Sequence, residues 1–229
     1  MNNYTLKDCY ICHAFGKIFF NSKDILESHI NDNIKVDSSI SIVSPMNKNC
    51  YTQSYLVKQC KHNNLSLPIS EKLFKISSEK WSNVFKIEGI IEILKKTTTE
   101  FAVVLDGKDT CIVKDLDFNF INEFKKYKAD IVYNAMNFKY PFANLETRQF
   151  LENNHFRYIN AGLCIGYTDK LLQFYKECIH NIEGAMNGWN NRPSEQYVVR
   201  KTAVSSDIIV RCDYNNTLFN YPKQGVNNE

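Results

Sequence analysis

Apolar positions along the chain alternate between short β-branched runs and longer stretches with helical spacing. Ser39-Ile-Ser-Ile-Val-Ser44 is a strand-sized run closed by Pro45. A helix is predicted over Tyr51–His62, with Tyr55, Leu56 and Gln59 at helical spacing and a loop at Asn63-Asn64; Leu65–Leu73 reads as a strand interrupted by Pro68. Asn83–Lys96 carries Val84, Ile87, Ile91 and Leu94 on one stripe and predicts a helix. Phe101-Ala-Val-Val-Leu105 is a buried strand that delivers Asp106 at its carboxyl end. Further on, the pattern predicts a helix over Phe118–Lys126, a strand over Ala129–Tyr133 and a strand over Gly162–Tyr167. A helix over Leu171–Ile182, capped by Thr168 or Asp169, follows, then a helix over Ser194–Ala203 and a strand over Asp207–Arg211. Strand and helix alternating in this way predict an α/β fold with a mixed, mostly parallel sheet flanked by helices. The core domain spans residues 39–221, after an N-terminal extension over 1–38 and before a polar tail over 222–229.

Composition changes this picture little. Hydrophobic residues make up 44% of the 229, enough for a single core. A net charge of +3 lacks the basic excess of a nucleic-acid binder but suits a phosphate-bearing small ligand. The beginning of the chain, with Asp8, does not read as a secretory leader, and no apolar run reaches the roughly 20 residues needed to cross a bilayer. The eight cysteines are therefore expected as reduced thiols in a cytoplasmic protein.

The chemistry concentrates in Val103-Val-Leu-Asp-Gly-Lys-Asp-Thr110. Ligands of parallel sheets bind outside the carboxyl ends of the strands. Asp106 stands at such an end and Asp109 one turn on, offering hard oxygen ligands to Mn²⁺ or Mg²⁺. An ion there would bridge the phosphates of a nucleotide-sugar, and Gly107 permits a tight turn beneath it. The plain alternative is an Asp-Gly turn with a solvated second carboxylate. A haloacid-type phosphatase would need its second Asp where Lys108 stands.

Several blocks in order strengthen the first reading. From Ile40 to about Phe219 the chain resembles the GT-A glycosyltransferase domain of the procollagen lysyl hydroxylases and collagen galactosyltransferases. Asp106 and Asp109 match that group's Asp-x-x-Asp motif. Ile42–Tyr51 is similar to its opening loop around the nucleotide base, which places Ser44 and Tyr51 beside the uracil and ribose of a UDP-hexose. Lys86 matches a basic residue that faces the donor, and Tyr158-Ile-Asn-Ala-Gly162 resembles a Tyr-Leu-Asn-Ser-Gly block, which places Asn160, Ala161 and Gly162 against the sugar. Pro193-Ser-Glu-Gln196 resembles an Asp-Asp-Gln stretch beside the acceptor, which makes Glu195 the candidate catalytic carboxylate; the plain alternative is a Glu favoured at a helix start.

The resemblance implies transfer of a hexose from a UDP-sugar to a hydroxyl of a glycan-type acceptor, with an inactive GT-A-like binding or scaffold domain as the alternative. A nucleotidyltransferase is a further alternative, but the sequence has no Gly-rich phosphate loop near its start. The resemblance also implies a third metal ligand, a His from a late loop. No His follows His180, so either Asp213 or a water substitutes, the chain is a fragment, or metal is held weakly. Finally, Cys9-x-x-Cys12-His13 with His29 has a zinc-like composition in poor spacing; the alternative is a small element packing Ile11, Phe15, Ile18 and Phe19 on the core.

Overall fold

The computed structural model describes residues 9–13, 26–136, 158–185, 187 and 192–220. The strands are β1 (Ile11–His13), β2 (Ile40–Val43), β3 (Phe101–Leu105), β4 (Thr110–Ile112), β5 (Ile131–Met136), β6 (Tyr158–Tyr167), β7 (Val210–Asp213) and β8 (Phe219–Asn220). The helices are α1 (Lys48–Gln53), α2 (Tyr55–His62), α3 (Glu71–Phe74), α4 (Phe85–Leu94), α5 (Phe118–Lys126), α6 (Thr168–Ile179) and α7 (Glu195–Ser205).

A five-stranded sheet in the order β2-β3-β6-β5-β7 forms the centre. β2 runs parallel to β3 and β5 parallel to β7, while β6 is antiparallel to both neighbours, so the α/β sheet is mixed. Alternation along β3 builds a layer on each face. Ala102 and Val104 meet Ile87 and Ile90 of α4, Phe174 of α6 and Val198 of α7. Phe101, Val103 and Leu105 meet Leu56 of α2, Phe120 and Phe124 of α5, and Ile11 and Phe219. That second layer is closed by a small sheet, β4-β1-β8, in which β1 is antiparallel to β4 and parallel to β8.

Several boundaries differ from the sequence pattern. The helix expected over Tyr51–His62 is two helices, because Ser54 is extended and caps α2 by accepting from the Val57 N–H at 3.0 Å. Leu65–Leu73 forms no strand; Pro68 withholds a ladder donor, and Ser70 caps α3 instead. α6 begins at Thr168, so the N-cap position falls to Tyr167, and Asp169 sits in the first turn where the helix dipole favours an acid. Residues 9–13 of the expected extension lie inside the fold, in the small sheet; Phe15, Ile18 and Phe19 lie outside the described residues.

Candidate metal centre

Every residue of β3 is buried, which fixes the position of Asp106 at its end. The loop that follows is pinned from several sides. The Asp106 N–H donates to the Gly162 carbonyl at 2.7 Å, the Ser44 hydroxyl donates to the Leu105 carbonyl at 2.7 Å, and the Ser54 hydroxyl donates to the Gly107 carbonyl. The chain then enters β4, where Thr110 pairs with His13 of β1. This register sets the His13 imidazole beside the loop that bears both carboxylates.

His13 Nε2 lies 3.3 Å from Asp109 Oδ1 and 3.5 Å from Asp106 Oδ2. One ligand atom from each of the three residues falls within 4.8 Å of the others. Burial alone would lower the His13 pKa, but the Asp109 carboxylate, with Asp106 behind it, outweighs burial and the net shift is upward. Burial alone would likewise raise Asp109, and His13 more than reverses it. A fully enclosed imidazole between two acids is held together by charge here, and a divalent cation could replace the shared proton. Two carboxylates and one imidazole suit Mn²⁺ better than Mg²⁺, which prefers an all-oxygen shell.

On the other side of Asp106 stands Lys86 of α4. Its ammonium donates to Asp106 Oδ1 and lies 3.2 Å from Glu195 Oε2. Burial opposes the charge on Lys86, but the two carboxylates hold it protonated, with its pKa well above the ordinary lysine value. Glu195 opens α7 behind the Ser194 cap and is 5% exposed. Burial, with some help from Asp106, pushes its pKa up to about 7 against the pull of Lys86. A cavity of about 280 Å³ opens beside the group, lined by Lys86, Asp106, Asp109 and Lys108 and walled by Trp81 and Asn47.

The remaining sequence candidates take varied places. Ser44 is fully buried, with its hydroxyl committed to the Leu105 carbonyl. Tyr51 packs edge-on against Phe74 at 5.6 Å, under Lys61. Neither lines the cavity; their loop contributes Pro45, Asn47, Asn49, Cys50 and Gln53. Asn160, Ala161 and Gly162 lie where β6 loses register with β5: Tyr133 faces Cys164, but Asn134 faces Asn160. Gln196 braces this bulge, accepting from the Ala161 N–H at 2.7 Å and donating to the Ile159 carbonyl. Asn160 Oδ1 accepts from the Gly162 N–H at 2.9 Å. Gly162 must be glycine, because a Cβ there would stand 2.7 Å from Asp106 Oδ2 and 2.8 Å from His13 Cε1. Gly162→Ala is expected to weaken Mn²⁺ binding at least tenfold, in the manner of other supporting residues, as read by calorimetry.

Asp213, the considered stand-in for the third ligand, is corrected. It accepts from the N–H groups of Thr217, Leu218 and Phe219 at 2.9, 2.8 and 2.7 Å and so closes the turn into β8. The zinc-like set does not gather either: His13 turns to the aspartates, and His29 bonds Asp32 at 2.5 Å. The residue that sequence reasoning missed as a candidate ligand beside the aspartates is His13. Its signal was the lone His in an apolar run, Tyr10-Ile-Cys-His13, which belongs to the fold interior.

The chain matches no family model and no curated protein. No helix among the described residues is long and apolar enough to cross a membrane.

Proposed function

We propose that this chain is a metal-assisted glycosyltransferase of the GT-A type that moves a hexose from a UDP-sugar to a hydroxyl of a glycan-type acceptor. The observation that carries the reading is the His13–Asp106–Asp109 group, its imidazole buried and its two carboxylates partly exposed, joined through Lys86 to the buried carboxylate of Glu195. A divalent ion, Mn²⁺ by preference, held by these three residues would neutralise the charge that develops on the departing diphosphate. Lys86 adds a fixed cation at the same place and keeps Asp106 oriented. Lys108, on the cavity wall, is placed to meet a phosphate.

In the transfer the bond from the anomeric carbon to the diphosphate oxygen breaks and a bond to the acceptor oxygen forms. The acceptor proton must leave. Glu195, with a pKa near 7, is matched to take it at neutral pH in an inverting reaction. In a retaining reaction the same carboxylate would face the positive charge on the sugar. The scaffold alternative retains the group without turnover. The two part in one assay: release of UDP from UDP-glucose or UDP-galactose with Mn²⁺ present. The proposal expects release that chelation abolishes. Binding of UDP without any release, across donors and acceptors, would favour the scaffold.

A further inference from the structure

Asn134 of β5 is fully buried, and neither Oδ1 nor Nδ2 of its amide has a hydrogen-bond partner among the described residues. A buried amide normally finds partners, and leaving it without them destabilises a fold. The face it occupies follows from the register. Tyr133 and Ala135 enter the core layer of α4, α6 and α7, with Cys164, Cys212 and Ile159 opposite them. Asn134 therefore points to the other face, where its Cα partners are Asn160 on β6 and Asp213 on β7. Asn160 is on the metal side: its Oδ1 lies 3.0 Å from the point where a Gly162 Cβ would stand, as do Asp106 and His13 at shorter range. β3, β6 and β5 are consecutive, so one end of the sheet carries Asp106 just past the carboxyl end of β3, then Asn160 and Gly162 near the amino end of the antiparallel β6, then Asn134 of β5. Strand spacing puts Asn134 about 10 Å along the sheet from the β3 line.

We propose that Asn134 is a specificity-determining residue that reads hydroxyl groups of the donor's hexose. The inference rests on the transferase reading above. A diphosphate seated at His13, Asp106 and Asp109 leaves its sugar to extend across β6, and the hexose fills the span to β5. An amide with both a donor and an acceptor open matches vicinal hydroxyls, which accept through one oxygen and donate through the next. Because the amide is enclosed, a sugar reaches it only if the elements around it part.

Asn134→Leu, with Asn134→Ala beside it, provides the test through three readouts. The thermal midpoint of the ligand-free protein should hold or rise, because an unpaired polar group is removed. Affinity for UDP with Mn²⁺ should change less than about twofold, since the diphosphate contacts are untouched. Turnover of the preferred UDP-hexose should fall about tenfold or more, and one deoxy-analogue that wild type handles poorly should equal its parent in the variant. A lowered midpoint with unchanged turnover and donor preference would show a structural amide and overturn the proposal while leaving the transferase reading intact. A wild-type protein that neither binds nor cleaves UDP-sugars would overturn that reading, and this one with it. Where either variant fails to fold, the deoxy-analogue series on wild type decides: no hydroxyl whose removal matters would refute the assignment.

Discussion

Alanine at Asp109 is expected to abolish Mn²⁺-dependent UDP binding, by more than the 10–100-fold typical of losing a supporting residue, with Asp106→Ala as severe. Both carboxylates stand on a loop, outside the two apolar layers, so the fold should survive. Asp109 is the stronger partner of His13, and Asp106 remains beside the imidazole when Asp109 is removed. Calorimetric titration of UDP in the presence of Mn²⁺, with thermal unfolding as a control for folding, reads the effect. The pH dependence follows from the two shifts. The raised pKa of His13 contributes stability that is full at low pH and is lost as pH rises through that pKa. The depressed pKa of Asp109 contributes stability at higher pH that is lost as pH falls through it. The ion pair thus stabilises the metal-free protein most between these two points. Metal needs the neutral imidazole, so affinity should begin to fall, on acidification, at a higher pH than an ordinary histidine would give.

Glu195→Gln is expected to lower turnover by about 10²–10⁴-fold with donor affinity nearly unchanged. The substitution keeps the shape at the start of α7 and removes the charge. Lys86 keeps Asp106 as its counter-ion, and a carboxylate whose pKa burial has raised gives the fold no stability at neutral pH that glutamine would forfeit. In wild type the rate should rise through pH about 7 as Glu195 loses its proton, and the variant should lack that limb. A profile and rate that survive the change within about threefold would reduce Glu195 to a helix-start residue.

Long apolar patterns were legible because they are local. Phe101–Leu105 and the stripe from Leu171 through Cys178 reveal their elements directly, and an acid at the end of a fully apolar strand marks the sheet end where Asp106 is found. Lys86 and Glu195, chosen for their places in separate blocks, meet at one ammonium. The candidate third ligand was not legible, for a physical reason. β1 and β4 have 3 residues each, too few to show a period, and they pair across nearly half of the chain, Cys12 facing Cys111. Reading His13 as a ligand requires knowing that it opposes Thr110, and no local propensity carries that register. The bulge at Asn160–Gly162 was hidden likewise, since its brace, Gln196, lies on another element. Ser44 reads in sequence as a strand-end hydroxyl beside a nucleotide base, yet the carbonyl that captures it belongs to β3.

Pulsed electron paramagnetic resonance of the Mn²⁺–UDP complex tests the central claim most directly, because it reports the atoms around one ion. The expected spectrum carries a nitrogen coupling from the His13 imidazole and phosphorus couplings from the diphosphate together, and His13→Ala removes the nitrogen while weakening the complex. A wild-type spectrum with neither coupling, or a nitrogen coupling that persists in His13→Ala, would contradict it.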